Sequence, residues 1–217
     1  MDDTCPFPGE PSVRRRAKRS TMVAHRLAWQ GSALLLARPD GQFFDRVHLV
    51  AEMLGHLDGP VAMPLGRAIA GLQQQSLMAV TRAHDEVFGP NIDRDLRLTT
   101  WIAGTTREQV GHVLEFTSAY RAAGVERPRG EAHDHLAVLL EFAAHVDPEA
   151  GGRLLAEYRV PVAAMARTLA DAGSPFAHVL TAVGATLPEV TAQQVDELLR
   201  SVQDMPDESK RHAPNGL

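Results

Sequence analysis

Apolar residues recur every three or four positions along most of this chain, and this periodicity restricts the possible folds more than any other feature. A clear example is the stripe of Val195, Leu198, Leu199 and Val202, which has the spacing of one face of an α-helix. No segment shows the strict alternation and β-branched enrichment that are typical of strands. With 217 residues, 44% of them apolar, the chain can bury a sizeable core. The sequence therefore predicts an all-α fold, a single compact, multi-helix, bundle-like domain.

The predicted domain occupies residues 21–203, between two tails that we expect to be disordered. The leader, residues 1–20, contains three prolines and a cluster of bases, and the tail, residues 204–217, is polar. Neither has a periodic apolar face, and segments without one bury too little apolar surface to become ordered. The sequence leaves open whether translation begins at Met1 or at Met22.

Turn and capping residues divide the predicted domain into helices. Thr105 with Glu108 and Thr191 with Gln194 form capping-box patterns, which mark helix starts, and Gly124 is placed to end the first of these helices. The predicted inward stripe of that helix comprises Val110, Val113, Leu114, Thr117 and Tyr120. With proline and glycine stops elsewhere, the predicted helices cover about residues 23–37, 43–57, 65–88, 93–102, 105–124, 131–145, 148–159, 162–172, 176–186 and 191–203.

Charge is divided unevenly between the leader and the rest of the chain. The whole sequence has 22 basic and 27 acidic residues and a net charge of −5. The leader holds five bases and three acids, so residues 21–217 carry 17 bases, 24 acids and a charge of −7. This acidic body argues against a protein that coats nucleic acid. The basic cluster from Arg14 to Arg19 is either a solvated tail, the favoured interpretation, or an arm for nucleic acid or a protein partner.

Cellular location is predicted from cysteine usage and from the length of the apolar runs. Cys5 is the single cysteine, which excludes an intramolecular disulfide framework and a multi-cysteine metal site. The leader's bases are not followed by the uninterrupted apolar stretch of an export signal. The longest apolar runs, such as residues 136–140, are far shorter than the roughly 18 residues of a spanning helix. We therefore expect a cytoplasmic protein without direct membrane insertion.

Sequence motifs for catalysis and metal binding are missing. The ten histidines include no H-E-x-x-H or E-x-x-H pair, and His133 and His135 would lie roughly 200° apart on a helix, which prevents them from sharing an ion. There is no G-x-S-x-G, Walker or G-x-G-x-x-G motif. The sequence thus predicts a protein that is not an enzyme and binds no metal and no cofactor stably.

One segment, from Glu131 to Phe142, combines apolar and acidic residues in a helical pattern. Its apolar side comprises Leu136, Leu139 and Leu140, continued by Ala143, and the opposite side comprises Glu131, Asp134 and Glu141, continued by His145. The acidic side is either an ordinary solvated stripe or a surface that receives a basic peptide. The pattern alone favours the solvated stripe.

The same segment resembles the E-x-P-D-H-L-x-x-x-L-E-F signature of the helical chaperones dedicated to molybdoenzymes, the family that contains the chaperones of nitrate, trimethylamine oxide and dimethyl sulfoxide reductases. The matching residues are Glu131, Asp134, His135, Leu136, Leu140, Glu141 and Phe142. Upstream, residues 94–124 resemble the nitrate reductase branch, with an arginine-rich segment, a G-x-T-R turn and a helix that ends Y-x-x-A-G. The chain departs from the signature at His133, which replaces a proline.

The resemblance implies a function in the assembly of another protein. It implies a chaperone that binds the N-terminal segment of the catalytic subunit of an apo-molybdoenzyme, with respiratory nitrate reductase as the expected client. Binding would assist insertion of molybdenum bis-pterin guanine dinucleotide into the client and delay the client's membrane targeting. The expected mode is a client helix in a groove, with apolar contacts for affinity and carboxylates for orientation. Whether the chaperone forms a homodimer is left open.

The residues expected to contact the client peptide are Glu131, Asp134, His135, Glu141, Trp101 and Tyr120. Asp134 and Glu141 are expected to pair with client arginines, and His135 to orient the loop that leads into the helix. For Trp101 and Tyr120, packing in the core is the favoured alternative to client contact. The alternative function for the whole chain is a helical DNA-binding or regulatory adaptor that uses the basic N-terminal arm.

Overall fold

The structure is a computed structural model that describes residues 10–89, 95–102, 106–125 and 132–204. Within these ranges the chain forms ten α-helices and no β-strand, so the predicted all-α class is confirmed. The helices are α1 (Glu10–Leu36), α2 (Phe43–Met53), α3 (Gly59–Gln73), α4 (Leu77–Phe88), α5 (Thr106–Ala122), α6 (Leu136–His145), α7 (Pro148–Glu157), α8 (Arg159–Asp171), α9 (Phe176–Gly184) and α10 (Ala192–Gln203). Short 3₁₀ turns cover Leu54–His56 and Leu98–Trp101.

The core is organised around α1, which packs against α6, α9 and α2. On α1, Trp29 is buried, and its indole Nε1 donates a hydrogen bond to Thr186 Oγ1 at 2.9 Å. α3 and α8 pack on α9, and α7 covers another side of α6. Because α6 lies between α1 and α7, six of its ten residues are buried. The segment that resembles the family signature therefore leads directly into the centre of the fold.

The α6–α7 contact depends on a glycine. A Cβ atom at Gly151 would lie 2.5 Å from the Cβ of Ala143 on α6, so a larger residue has no room at this point of the interface. Asp147 begins α7 by accepting hydrogen bonds from the backbone N–H groups of Glu149 and Ala150, the usual role of an N-cap aspartate. Local capping and close packing together fix α7 against the central helix.

Several predicted helix boundaries are confirmed. The capping box of Thr191 and Gln194 is present at the start of α10. Gly124 has a φ of +73° just after the last residue of α5, a backbone conformation that glycine adopts without steric cost. Thr105, the first residue of the other predicted capping box, lies outside the described residues.

The N-terminal prediction was wrong in part. Residues 10–20 were assigned to the disordered leader, whereas α1 begins at Glu10. Pro11 lies in the first turn, where a missing N–H group costs no helical hydrogen bond, and arginine, lysine and alanine then continue the helix with favourable propensity. The rest of the predicted leader, residues 1–9, and residues 205–217 of the predicted tail lie outside the described residues.

Other predicted helices differ from the observed ones in number, in type or in their first residue. The helix predicted over residues 65–88 is two helices, because Ser76 caps α4 by accepting a hydrogen bond from the Ala79 N–H at 3.2 Å. The described part of the helix predicted over 93–102 contains a single 3₁₀ turn. The helix predicted from Glu131 begins instead at Leu136.

Candidate functional site

The residues that precede α6 pair with the segment around the 3₁₀ turn, and we call this region, residues 95–101 with 132–136, the signature junction. The Leu98 N–H donates to the carbonyl of Asp134 at 3.0 Å, and the Leu136 N–H donates to the carbonyl of Leu96 at 2.8 Å. Arg97 and His135 thus form an isolated antiparallel bridge. Because these backbone groups bond across the junction, they are not used in helical turns, which explains why α6 begins only at Leu136.

Asp134 lies inside this junction and not on the polar side of a helix, so its predicted position was wrong. Its side chain is buried, with 3% of the residue exposed. The backbone N–H of Thr99 donates to Asp134 Oδ2 at 3.3 Å, and the Thr99 hydroxyl donates to the same oxygen. A buried carboxylate needs such donors, because leaving water without them is costly. Asp134 therefore ties the 3₁₀ turn to the start of α6.

Asp95 and Arg97 organise the other end of the junction. Asp95 Oδ1 accepts the Arg97 backbone N–H at 2.8 Å, and Arg97 Nε lies 3.0 and 2.9 Å from the two carboxylate oxygens. Both side chains are about four-fifths buried. The indole Nε1 of Trp101 donates to the Asp95 carbonyl at 3.1 Å. Hydrogen bonds therefore link Asp95 with both Arg97 and Trp101 and restrict the conformation of this short segment.

The two predicted aromatic contacts are both core residues. Trp101 and Tyr120 are each 3% exposed, in agreement with the favoured alternative. The Tyr120 hydroxyl donates to the His133 carbonyl at 2.9 Å, and its ring meets that of Phe142 at 4.7 Å between centroids. Burial raises the pKa of the Tyr120 hydroxyl far above its usual value, and the negative charge of Asp134 raises it further. Both aromatic residues support the junction from the interior.

The remaining predicted site residues are dispersed. Glu141 is exposed on α6 and makes no ion pair with another described residue. His135 is half-buried at the bridge, immediately before α6. Glu131 lies outside the described residues. The predicted acidic stripe therefore reduces, in the described part of the chain, to one exposed carboxylate on α6 and one buried carboxylate before it.

Comparison with known proteins places this fold in a family. Residues 58–182, more than half of the chain, match the family described as nitrate reductase delta subunit. The chain belongs to this family. Two similar proteins are described as nitrate reductase-like protein NarX, from two strains of Mycobacterium tuberculosis, CDC 1551 / Oshkosh and ATCC 25618 / H37Rv. Each is 41% identical over 157 residues, which cover 72% of this chain and 24% of the relative. The chain thus spans about a quarter of the length of these relatives.

The matched region contains the whole signature junction. It runs from the residue before α3 into α9, and it includes residues 94–124 and 131–142, which carry the resemblance to the chaperone family. α1 and α2 lie before the match, although α1 packs on α6 and buries Trp29 in the shared core. The helices of the matched region therefore share their hydrophobic core with α1, which lies before that region.

A second polar cluster, which the sequence did not indicate, joins α5 to Tyr158, the residue between α7 and α8. The hydroxyl of Tyr158 lies 2.9 Å from His112 Nδ1 and 3.3 Å from Glu115 Oε2. Tyr158 is 1% exposed, and burial, followed by the charge of Glu115, raises the pKa of its hydroxyl. Its ring also packs on Phe116 of α5 at 4.9 Å between centroids. No sequence motif links these residues, since Tyr158 lies more than forty positions from its partners.

Two other features, a metal cluster and a membrane-spanning helix, are absent from the described residues. Among the described residues, no three histidine, cysteine, aspartate or glutamate side chains come together as a metal site would require. No described helix combines the length and the apolar character needed to cross a bilayer.

Proposed function

We propose that this protein is a chaperone for the assembly of nitrate reductase, and that it binds the N-terminal segment of the enzyme's catalytic subunit before the cofactor is inserted. The observation that carries the proposal is membership of the delta subunit family over residues 58–182. Bound in this way, the client stays open for molybdenum bis-pterin guanine dinucleotide and is kept from the membrane until it is complete. The chaperone itself catalyses no reaction and holds no cofactor.

The exposed carboxylate of Glu141 is proposed to pair with an arginine of the client segment. Glu141 projects from the central helix into solvent, and the net charge of −5 of the chain favours the approach of a cationic peptide. An exposed charge pair contributes only about 0.2 to 1 kcal/mol, whereas truncating one partner of a buried, hydrogen-bonded pair costs about 2 to 5 kcal/mol. The size of the Glu141 effect therefore reports how far the client desolvates this carboxylate.

The buried residues are assigned a supporting role. Asp134, Trp101 and Tyr120 are enclosed in the free protein, so a client side chain reaches them only if the junction opens. His135, half-buried next to the first turn of α6, stays the proposed residue that orients the loop. Apolar contacts with the client supply most of the affinity, as in other complexes of a helix with a groove.

Calorimetric titration with a synthetic peptide tests the binding step. The peptide is the N-terminal segment of the nitrate reductase catalytic subunit from the same organism. Glu141→Gln is expected to weaken binding by about two- to fivefold if the pair stays solvated, and the loss should shrink at high salt because exposed charges are screened. Glu189→Gln, an exposed change outside the matched region, is the control and is expected to bind normally. If the wild type, Glu141→Gln and Glu189→Gln all bind the peptide with equal affinity, Glu141 is not part of the binding site.

A cellular experiment tests the assembly role itself. In a strain that lacks this protein, the nitrate reductase catalytic subunit is expected to accumulate with little molybdenum, and the metal content should be restored by the wild-type gene. Molybdenum is measured in the purified subunit, so that loss of cofactor is separated from loss of polypeptide. A subunit with normal molybdenum content in the deletion strain would contradict the proposed function.

A further inference from the structure

Thr99 was not among the residues that the sequence indicated, yet it donates two hydrogen bonds to the carboxylate of Asp134. Its backbone N–H and its hydroxyl point to the same oxygen, Oδ2. Thr99 is 2% exposed and Asp134 is 3% exposed, so solvent does not compete for this contact. The two residues are 35 positions apart, and their pairing joins two separate segments of the matched region.

We propose that Thr99 and Asp134 form a positioning pair, which holds residues 95–101 in the conformation that the client meets, so that Asp134 acts on client binding through Thr99 and does not touch the client. This inference rests on the proposed function. It assigns the signature aspartate a partner and gives Thr99 a role in binding.

Burial and geometry favour positioning over direct contact. A client arginine could reach Asp134 only by displacing Thr99 and opening the backbone pairing at Leu98 and Leu136. That displacement would break the two bonds from Thr99 to the carboxylate and the two backbone bonds before any new contact formed. Residues 95–101, in contrast, include the partly exposed pair of Asp95 and Arg97. The contact of Thr99 with Asp134 holds this pair in place.

Positioning affects affinity through preorganisation. When a binding segment is already fixed in the free protein, the complex does not pay for ordering it. Loss of the Thr99–Asp134 contact would release the 3₁₀ turn, and the client would then have to order it. We expect weaker binding to appear together with greater mobility of the junction, even where the rest of the fold is unchanged.

A double-mutant cycle with the client peptide distinguishes the two roles. Asp134→Asn and Thr99→Val are each expected to weaken binding by about tenfold, and the double variant should be little worse than either single variant, because both disrupt the same bond between the Thr99 hydroxyl and the Asp134 carboxylate. Thr99→Ser keeps the hydroxyl and should restore most of the affinity. The control is Asp147→Asn, a change at the start of α7 outside the signature junction, since asparagine also caps helices well.

Other results of the cycle would overturn the inference. If Asp134→Asn weakens binding while Thr99→Val does not, or if the two losses multiply in the double variant, then Asp134 contacts the client directly. Urea unfolding of each protein gives the folded fraction, by which the affinities are corrected, so a loss caused by unfolding is separated from a loss at the site.

Amide hydrogen exchange tests the pair without the client. Asp134→Asn and Thr99→Val are expected to speed exchange of the Leu98 and Leu136 amides more than exchange in α8, while Thr99→Ser leaves the rates near those of the wild type. Unchanged exchange at Leu98 and Leu136 would refute positioning. If the wild-type protein binds no peptide, the proposed function fails by itself, and the exchange rates still decide whether Asp134 holds the junction through Thr99.

Discussion

α5 and α6 are both helices of the matched family region, but they are held in the fold in different ways. α6 has ten residues, of which six are buried, and it is enclosed by α1 and α7. α5 has 17 residues, and its buried side chains, among those described, are Gln109, Phe116 and Tyr120. α6 is thus stabilised mainly by apolar area removed from water, whereas α5 depends on a few ring contacts and hydrogen bonds.

This difference between α5 and α6 indicates that α5 is the less stable of the two helices. Local opening is easiest where few apolar contacts are buried, and α5 contacts the body chiefly through Phe116 against Tyr158 and Tyr120 against Phe142. Polar bonds from Tyr158 to His112 and Glu115 add to this attachment. We therefore expect changes on α6 to affect the whole fold and changes on α5 to have smaller effects.

The largest effect is expected from Leu140→Ala on α6. Leu140 is fully buried, and removal of a buried leucine side chain costs about 2 to 5 kcal/mol of unfolding free energy. Urea unfolding followed by circular dichroism measures the loss. The control on α5 is Leu114→Ala, since Leu114 is 56% exposed and its truncation is expected to change the unfolding free energy by less than about 0.5 kcal/mol. Equal losses would mean that α5 is enclosed as deeply as α6.

Gly151→Ala tests the close contact between α6 and α7. The added methyl group would lie 2.5 Å from the Cβ and 2.6 Å from the Cα of Ala143, so the two helices must separate. Overpacking of this kind costs about 1 to 3 kcal/mol, to be measured by the same unfolding experiment. Wild-type stability in this variant would show that α7 moves away freely and that α6 is less enclosed than the structure indicates.

Tyr120→Phe tests the bond that attaches α5 to the signature junction. Loss of the hydroxyl bond to the His133 carbonyl is expected to cost about 0.5 to 1.5 kcal/mol near neutral pH. Because the folded protein raises the pKa of Tyr120, this residue stabilises the fold below the unfolded pKa of about 10, and the contribution falls as the pH rises above it. The stability difference between wild type and variant should therefore narrow above about pH 10 in alkaline unfolding series.

The smallest effect, and one of opposite sign, is expected from Gly111→Ala on α5. No atom lies within 4 Å of a Cβ placed at Gly111, and the residue is exposed in the interior of the helix. Alanine there reduces the conformational freedom of the unfolded chain and stabilises by about 0.4 to 1 kcal/mol. Thermal unfolding of Gly111→Ala and Gly151→Ala under the same conditions compares the midpoints of the two variants directly. If Gly111→Ala is less stable than the wild type, this face of α5 is in contact with another part of the protein.

The inward face of α5 illustrates a limit of sequence periodicity. The predicted stripe included Leu114, which is 56% exposed, and omitted Phe116 and Gln109, which are buried. A helix with apolar residues on more than one side has several plausible inward faces, and the choice depends on the neighbour. Here Tyr158 and Phe142, from α7–α8 and α6, supply aromatic partners for Phe116 and Tyr120, and they set the rotation of the helix.

Local signals in the sequence determined the all-α class, the capping box of α10, the glycine that ends α5 and the family resemblance, because these depend on residues within a few positions of one another. The tertiary structure alone decided the positions and contacts of Asp134 and Thr99. Helical spacing assigned Asp134 to a solvated stripe, but its carbonyl and carboxylate bond to a segment 35 residues away. A backbone group that bonds to a distant segment is not available for a local helical hydrogen bond. The spacing of residues within the segment does not show where such long-range bonds form.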